Sequence, residues 1–127
     1  MILLVEDEPL IRMVTAEMLC DAGFSVEEAA TAAEAMAKLN AAVAGFEAVI
    51  IDIGLPDRPG DALAQEMRQL SAHLPILIAS GYDSGRITSI FKGDSRVSFV
   101  GKPYTGTVLI EALHAFGVDP APSGGPA

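Results

Sequence analysis

Residues 48–52, Ala48-Val49-Ile50-Ile51-Asp52, are the stretch from which the fold is read. A short run that is apolar at consecutive positions and rich in β-branched residues suits a parallel strand covered by helices on both faces. It closes on a carboxylate. Ligands of open α/β sheets bind outside the carboxyl ends of the strands, so Asp52 stands where chemistry is expected and is the candidate reactive group.

A second apolar run, Ile2-Leu3-Leu4-Val5, ends in Glu6-Asp7-Glu8. If the two strands are neighbours, two or three carboxylates converge on one rim of the sheet. Two unit charges about 4 Å apart repel by about 4 kcal/mol at an effective dielectric near 20, so the cluster should recruit a cation or raise a pKa. Hard oxygen ligands, few and open to water, favour Mg²⁺ over a caged Ca²⁺ or a zinc site.

Outward from these strands the pattern alternates. Pro9 opens a helix carrying Leu10, Ile11, Val14, Met18 and Leu19, which Gly23 stops. Phe24 to Glu28 alternates apolar and polar, as a half-covered edge strand should. Thr31 and Glu34 form a capping box that starts a second helix near residue 32, with Ala35, Leu39 and Val43 on its apolar side and Gly45 at its end. After the turn-rich loop from Ile53 to Gly60, a third helix places Leu63, Met67 and Leu70 on one face. Pro75 to Ser80 is a fourth strand, Gly81 to Gly93 a short or mobile helix, and Val97 to Val100 a fifth strand. Thr105 caps a last helix striped with Val108, Leu109, Ala112, Leu113 and Phe116. Five strands alternating with five helical segments predict a three-layer α/β sandwich on a parallel sheet. One domain over residues 1–118 is expected, with 119–127, rich in Pro, Gly, Ser and Ala, as a disordered tail.

Composition narrows the function. A net charge of −9 among 127 residues argues against a direct nucleic-acid partner, which would need clustered Lys and Arg. The lone Cys20 cannot close an internal disulfide and fits a reducing compartment. No leader precedes the first strand and no apolar run approaches the roughly 18 residues that span a bilayer, so a cytoplasmic location away from membranes is expected.

The residues that close the strands are Glu6 and Asp7, then Asp52, Ser80 and Lys102. Phosphoryl transfer to a carboxylate needs this set: a carboxylate attacks, a metal and an ammonium neutralise the transferring oxygens, and a hydroxyl donates to one of them. Each residue also has a plainer reading. Asp52 could cap a helix, Glu6 and Asp7 could complement the dipole of the helix at Pro9, and Ser80 before a glycine is an ordinary turn. Lys102 could lie on the surface, Gly54 could serve its turn alone, and Phe99 could simply pack in the core. His73 and His114 have no partners at metal or triad spacing and are assigned no site.

Four ordered segments carry a resemblance: Leu4-Val5-Glu6-Asp7-Glu8-Pro9, Ile50-Ile51-Asp52-Ile53-Gly54-Leu55-Pro56-Asp57, Ile78-Ala79-Ser80-Gly81-Tyr82 and Phe99-Val100-Gly101-Lys102-Pro103. Together the chain resembles the receiver domain of two-component response regulators, from Ile2 to Phe116. The resemblance implies a doubly wound, flavodoxin-like (βα)5 fold with strand order 2-1-3-4-5. It also implies phosphorylation of Asp52 by a histidine kinase or a histidine phosphotransfer protein with Mg²⁺, the metal resting on Glu6, Asp7, Asp52 and the carbonyl of Gly54. Lys102 and Ser80 would contact the phosphoryl group, Ser80 and Phe99 would act as the switch, and the Lys102–Pro103 bond would be cis. Glu6 stands for the commoner aspartate and Ser80 for threonine. Phe99 lacks the phenol found in many relatives. The Ala79-Ser80-Gly81-Tyr82 run resembles a stand-alone subgroup with a Phe-Ala-Thr-Gly-Tyr-like signature. On this reading the chain is a phosphoacceptor that assists hydrolysis of its own acyl phosphate and is not an enzyme. Its output would run through a downstream protein met by the segment from Tyr82 to Tyr104 and the last helix, with the chain a monomer or weak dimer.

Other classes remain to be weighed. An aspartyl-nucleophile phosphatase usually resembles Asp-x-Asp after the first strand plus a cap domain, and neither is present. A flavin protein of this topology would want a phosphate loop where residues 6–8 are acidic. A phosphorylation-independent docking module would keep its partner when Asp52 is removed.

Overall fold

The computed structural model describes residues 1–80, 89 and 91–119. Its elements are β1 (Ile2–Val5), α1 (Pro9–Asp21), β2 (Val26–Ala29), α2 (Ala32–Ala41), a 3-10 turn (Val43–Gly45), β3 (Ala48–Asp52), α3 (Gly60–Leu70), β4 (Ile76–Ser80), β5 (Val97–Gly101) and α4 (Gly106–Ala115). The strands are parallel throughout, in the order β2-β1-β3-β4-β5. This is the expected doubly wound topology.

The continuous apolar runs follow from burial on both faces of the sheet. Leu3, Val5, Val49, Ile51, Ile76 and Ile78 pack with Leu39 of α2 and with Leu63 and Met67 of α3. Their neighbours Ile2, Leu4, Ile50 and Leu77 face the other way, against Leu19 of α1 and Leu109 and Leu113 of α4. Successive side chains of a strand point to opposite faces, so a strand covered on both sides has no place for a polar residue until it ends. Register then aligns those ends. Val5 pairs with Ile51, Asp52 with Ala79, and Ser80 with Gly101, which brings Glu6, Asp52, Ser80 and Lys102 to one rim.

Helix starts largely follow the sequence. Thr31 Oγ1 accepts from the Glu34 amide at 3.0 Å, and Thr105 Oγ1 from the Val108 amide at 3.2 Å. The reciprocal half of the capping box differs: Glu34 Oε1 accepts from Ala30, at 2.7 Å, one residue before the cap. Gly23 ends the α1 segment at φ 102°, a conformation that side chains disfavour.

Other elements depart from the sequence reading. β2 runs from Val26 to Ala29, so Phe24 lies outside the strand, buried, and Glu27 and Glu28 are both exposed. β2 is an edge strand, and its acids are met from the side by Lys38 and Arg12 rather than hidden by alternation. α2 stops at Ala41 and Val43 belongs to the 3-10 turn. Leu70 is exposed at the end of α3, where Leu74 of the following turn enters the core. Val108 is exposed because the buried stripe of α4 is centred on Leu109 and Leu113. Most of the helix expected between Gly81 and Gly93, and residues 120–127 of the expected tail, lie outside the described residues.

Candidate phosphoacceptor site

At the carboxyl end of the central strand, Asp52 is 7% exposed and Glu6, just past β1, is 2% exposed. Oxygens of Glu6, Asp7 and Asp52 lie within 4.8 Å of one another. Lys102, directly after β5, donates through Nζ to Asp52 Oδ1 at 2.8 Å and reaches Glu6 Oε1 at 3.5 Å. The Lys102 amide donates to the Ser80 carbonyl at 2.8 Å, and the Lys102–Pro103 peptide is cis. One ammonium thus faces two nearly buried carboxylates, with a third beside them.

Electrostatics follow from this crowding. Burial raises the Glu6 carboxyl above its ordinary pKa, and the Asp52 charge adds to the rise against the Glu8 amide and Lys102. Burial alone would lower the Lys102 ammonium. Its hydrogen bond to Asp52 and the charges of Glu6 and Asp52 outweigh that and raise it, so it stays protonated. Three hard oxygen donors within reach of one another suit a small divalent metal. Glu6, Asp7 and Asp52 could hold one.

The raised Glu6 carboxyl has a measurable consequence. The folded protein binds this proton more readily than the unfolded chain, so ionised Glu6 costs stability above its folded pKa and that cost fades as pH falls towards 4.5. Relative to Glu6→Gln, the wild type in EDTA is expected to gain stability in urea unfolding as the pH falls from about 7 to 4.5. A difference that does not change with pH would contradict this account of the site.

The remaining candidates take defined places. A Cβ built on Gly54 would lie 3.8 Å from Asp52 Oδ2, so the Gly54 backbone runs close beside the carboxylate. Ser80 is 7% exposed at the end of β4. Phe99 pairs with Ile78 and is partly buried against the α2–α3 side of the core. His73 and His114 stand apart from the cluster, and exposed His114 contacts Asp119.

Sequence reading missed three neighbours. Arg12 donates to the Glu6 carbonyl at 2.9 Å and pairs with Glu28 at 3.3 Å, pinning the acidic turn after β1. A lone basic residue one turn into a helix preceded by acids was the available signal. Half-buried Tyr104 shares a 3.2 Å hydrogen bond with Thr15, and burial raises its phenol. Asp57 lies beyond Gly54, and its carboxyl is lowered by the backbone amides of Ala32 and Ala33. Beside the cluster, Leu10, Ile11, Val14, Met18, Pro103 and Tyr104 line an apolar groove of about 490 Å³ that Lys102 also borders.

Known proteins share this fold. A family model described as the response regulator receiver domain matches residues 2–114. Among curated relatives, the sensor kinase CckA of Brucella abortus is 29% identical over 82% of this chain. The C4-dicarboxylate transport transcriptional regulatory protein DctD of Rhizobium meliloti is 31% identical over 87% of it. The chain spans only 11% and 24% of the length of those two proteins. The solved structure of the Vibrio cholerae chemotaxis protein CheY4 superposes with a TM-score of 0.81 at 30% identity, covering 89% of this chain and 94% of that one. With strand order and family match in agreement, the chain belongs to the response regulator receiver domain family of two-component signalling.

Proposed function

We propose that this receiver accepts a phosphoryl group on Asp52 from a phosphohistidine of a histidine kinase or histidine phosphotransfer protein, and that the acyl phosphate switches its affinity for a downstream protein. The observation that carries the reading is the Lys102 Nζ contact of 2.8 Å with Asp52 Oδ1 inside the acidic cluster. In the transfer a carboxylate oxygen of Asp52 forms the new O–P bond as the donor's N–P bond breaks, and the imidazole leaves with that electron pair. Glu6, Asp7, Asp52 and the Gly54 carbonyl would hold Mg²⁺, which when bound neutralises charge on the transferring oxygens. Lys102 supplies the fixed positive charge and Ser80 a hydroxyl donor to the phosphoryl group.

On this reading the switch runs from Ser80 to Phe99, which is partly buried against the core and would move between an inward and an outward arrangement. Only a partner that binds the two states differently can read it. Residues 1–118 form the switching unit, a monomer or weak dimer in the cytoplasm that contacts no nucleic acid directly. No helix of the described residues is long and apolar enough to cross a membrane. The chain is consumed as a substrate and assists hydrolysis of its own phosphate, so it is not an enzyme in the turnover sense.

An amide NMR titration tests this, with Mg²⁺ followed by beryllofluoride as a stand-in for the phosphoryl group. Shifts at Asp7, Asp52, Ser80 and Lys102 that spread to Phe99, and are lost in Asp52→Ala, are expected. A Mg²⁺ response with no beryllofluoride response would leave a receiver-shaped docking module.

A further inference from the structure

Asp57 lies in the β3–α3 loop and is not a member of the acidic cluster, and its carboxylate reaches a different element. Oδ1 accepts from the Ala32 amide and Oδ2 from the Ala33 amide, each at 2.9 Å. The first amides of a helix have no partner within it, so both bonds serve groups that α2 leaves open, and the negative charge suits that end of the helix. Thr31 takes the Glu34 amide. Two residues from different parts of the chain therefore cap one helix end. Only one of them belongs to the loop beside the acceptor.

The base of that loop is fixed by backbone contacts. The Ile53 amide donates to Ala79 at 3.0 Å, and the Gly60 amide to the Ile53 carbonyl at 2.9 Å. Between them Leu55 packs into the core and Arg58 pairs with Glu66 of α3. Asp57 adds the tie to α2. Gly54 stands between the tie and the base, its backbone beside Asp52 Oδ2.

We propose that Asp57 is a positioning residue, which clamps the β3–α3 loop to the N-terminus of α2 and so holds the Gly54 carbonyl where a cation on Asp52 requires it. The inference rests on the reading of Gly54 as a metal ligand. Mg²⁺ demands near-ideal oxygen distances of about 2.0–2.1 Å, so a loop free to drift loses affinity even with every ligand present. Outer contacts that orient metal ligands cost about 10–100-fold in metal affinity when removed.

Mg²⁺ titration by amide NMR on the full chain tests the clamp, with hydrogen exchange of the Gly60 amide followed without metal. Asp57→Ala should weaken Mg²⁺ binding about tenfold and speed Gly60 exchange. Asp57→Asn, which keeps one oxygen acceptor, should fall between. Thr31→Ala removes a cap from the same helix end without touching the loop, so it should lower the melting temperature and leave Mg²⁺ affinity unchanged. Wild-type affinity in Asp57→Ala, or equal weakening in Thr31→Ala, overturns the clamp. Should Asp57→Ala fail to fold, Asp57→Asn decides by the same two readings. If the wild type itself ignores Mg²⁺, the proposed function fails and exchange alone decides: faster at Gly60 in the Asp57 variants upholds the loop anchor, unchanged exchange overturns it.

Discussion

Replacing Lys102 by methionine is expected to destabilise the metal-free protein by about 2 kcal/mol, to abolish its response to beryllofluoride, and to make its stability depend strongly on Mg²⁺. Methionine keeps most of the apolar stem and removes the ammonium. Asp52 and Glu6, 7% and 2% exposed, then face each other with no counter-ion between them. Breaking a buried ion pair by deleting one partner costs about 3–5 kcal/mol. The Lys102 side chain is 23% exposed, so water screens part of that and the smaller figure is expected. Protonation of Glu6, whose carboxyl is already raised, sets a ceiling on the loss. A divalent cation on Glu6, Asp7 and Asp52 would replace the missing charge, and binding to the folded state alone stabilises it by mass action. Urea unfolding in EDTA and in saturating Mg²⁺ reads both parts. If the variant is as stable as wild type without metal, or if Mg²⁺ leaves the gap unchanged, Lys102 is not the resident counter-ion of the cluster.

The same geometry explains what the sequence could and could not disclose. β1, β3 and β4 are legible because burial on both faces forces unbroken apolar runs, and the polar residue that ends each run marks the rim. Glu6, Asp52 and Ser80 can therefore be gathered without coordinates, and Lys102 by its place before Pro103 after the fifth strand; register brings them together. The sequence pattern starts β2 two residues early because an edge strand has one neighbour and weak demands on its pattern: Glu27 and Glu28 are both exposed. Leu70 and Val108 show the limit of helical spacing, which names the residues of a stripe but not where the sheet beneath it ends. The task of Asp57 is not legible in the sequence, since its partner Ala32 lies 25 positions away and is engaged through a backbone amide that has no residue signature. Arg12 escaped for the same reason, as one of its bonds goes to a carbonyl.

Alanine at position 60 is expected to cost about 2–4 kcal/mol of stability, lower the melting temperature by about 10 °C and weaken Mg²⁺ binding with it. Helix propensity argues the opposite. Gly60 opens α3, and alanine is favoured over glycine inside a helix by up to about 1 kcal/mol. Contact decides the sign. A Cβ there would lie 2.6 Å from the Asp52 carbonyl oxygen, 2.8 Å from Ile53 Cα and 3.1 Å from Ile51 Cγ2. The first two are backbone atoms and cannot rotate aside, so either the start of α3 or the end of β3 must move. Moving β3 displaces the Asp52 carboxylate from Lys102, and moving α3 breaks the Gly60–Ile53 hydrogen bond that closes the loop carrying Gly54. Either shift reaches the proposed cation site, so the loss of stability and the loss of affinity should appear together. Gly54→Ala is the matched control: its nearest contact would be an ordinary 3.8 Å, and near-wild-type stability is expected. Thermal melts of the two variants, with Mg²⁺ titrations beside them, separate the cases. A Gly60→Ala protein as stable as Gly54→Ala, with Mg²⁺ affinity intact, would show that the turn after Asp52 yields to the methyl group and that the acceptor is not held by the close approach of α3 to β3.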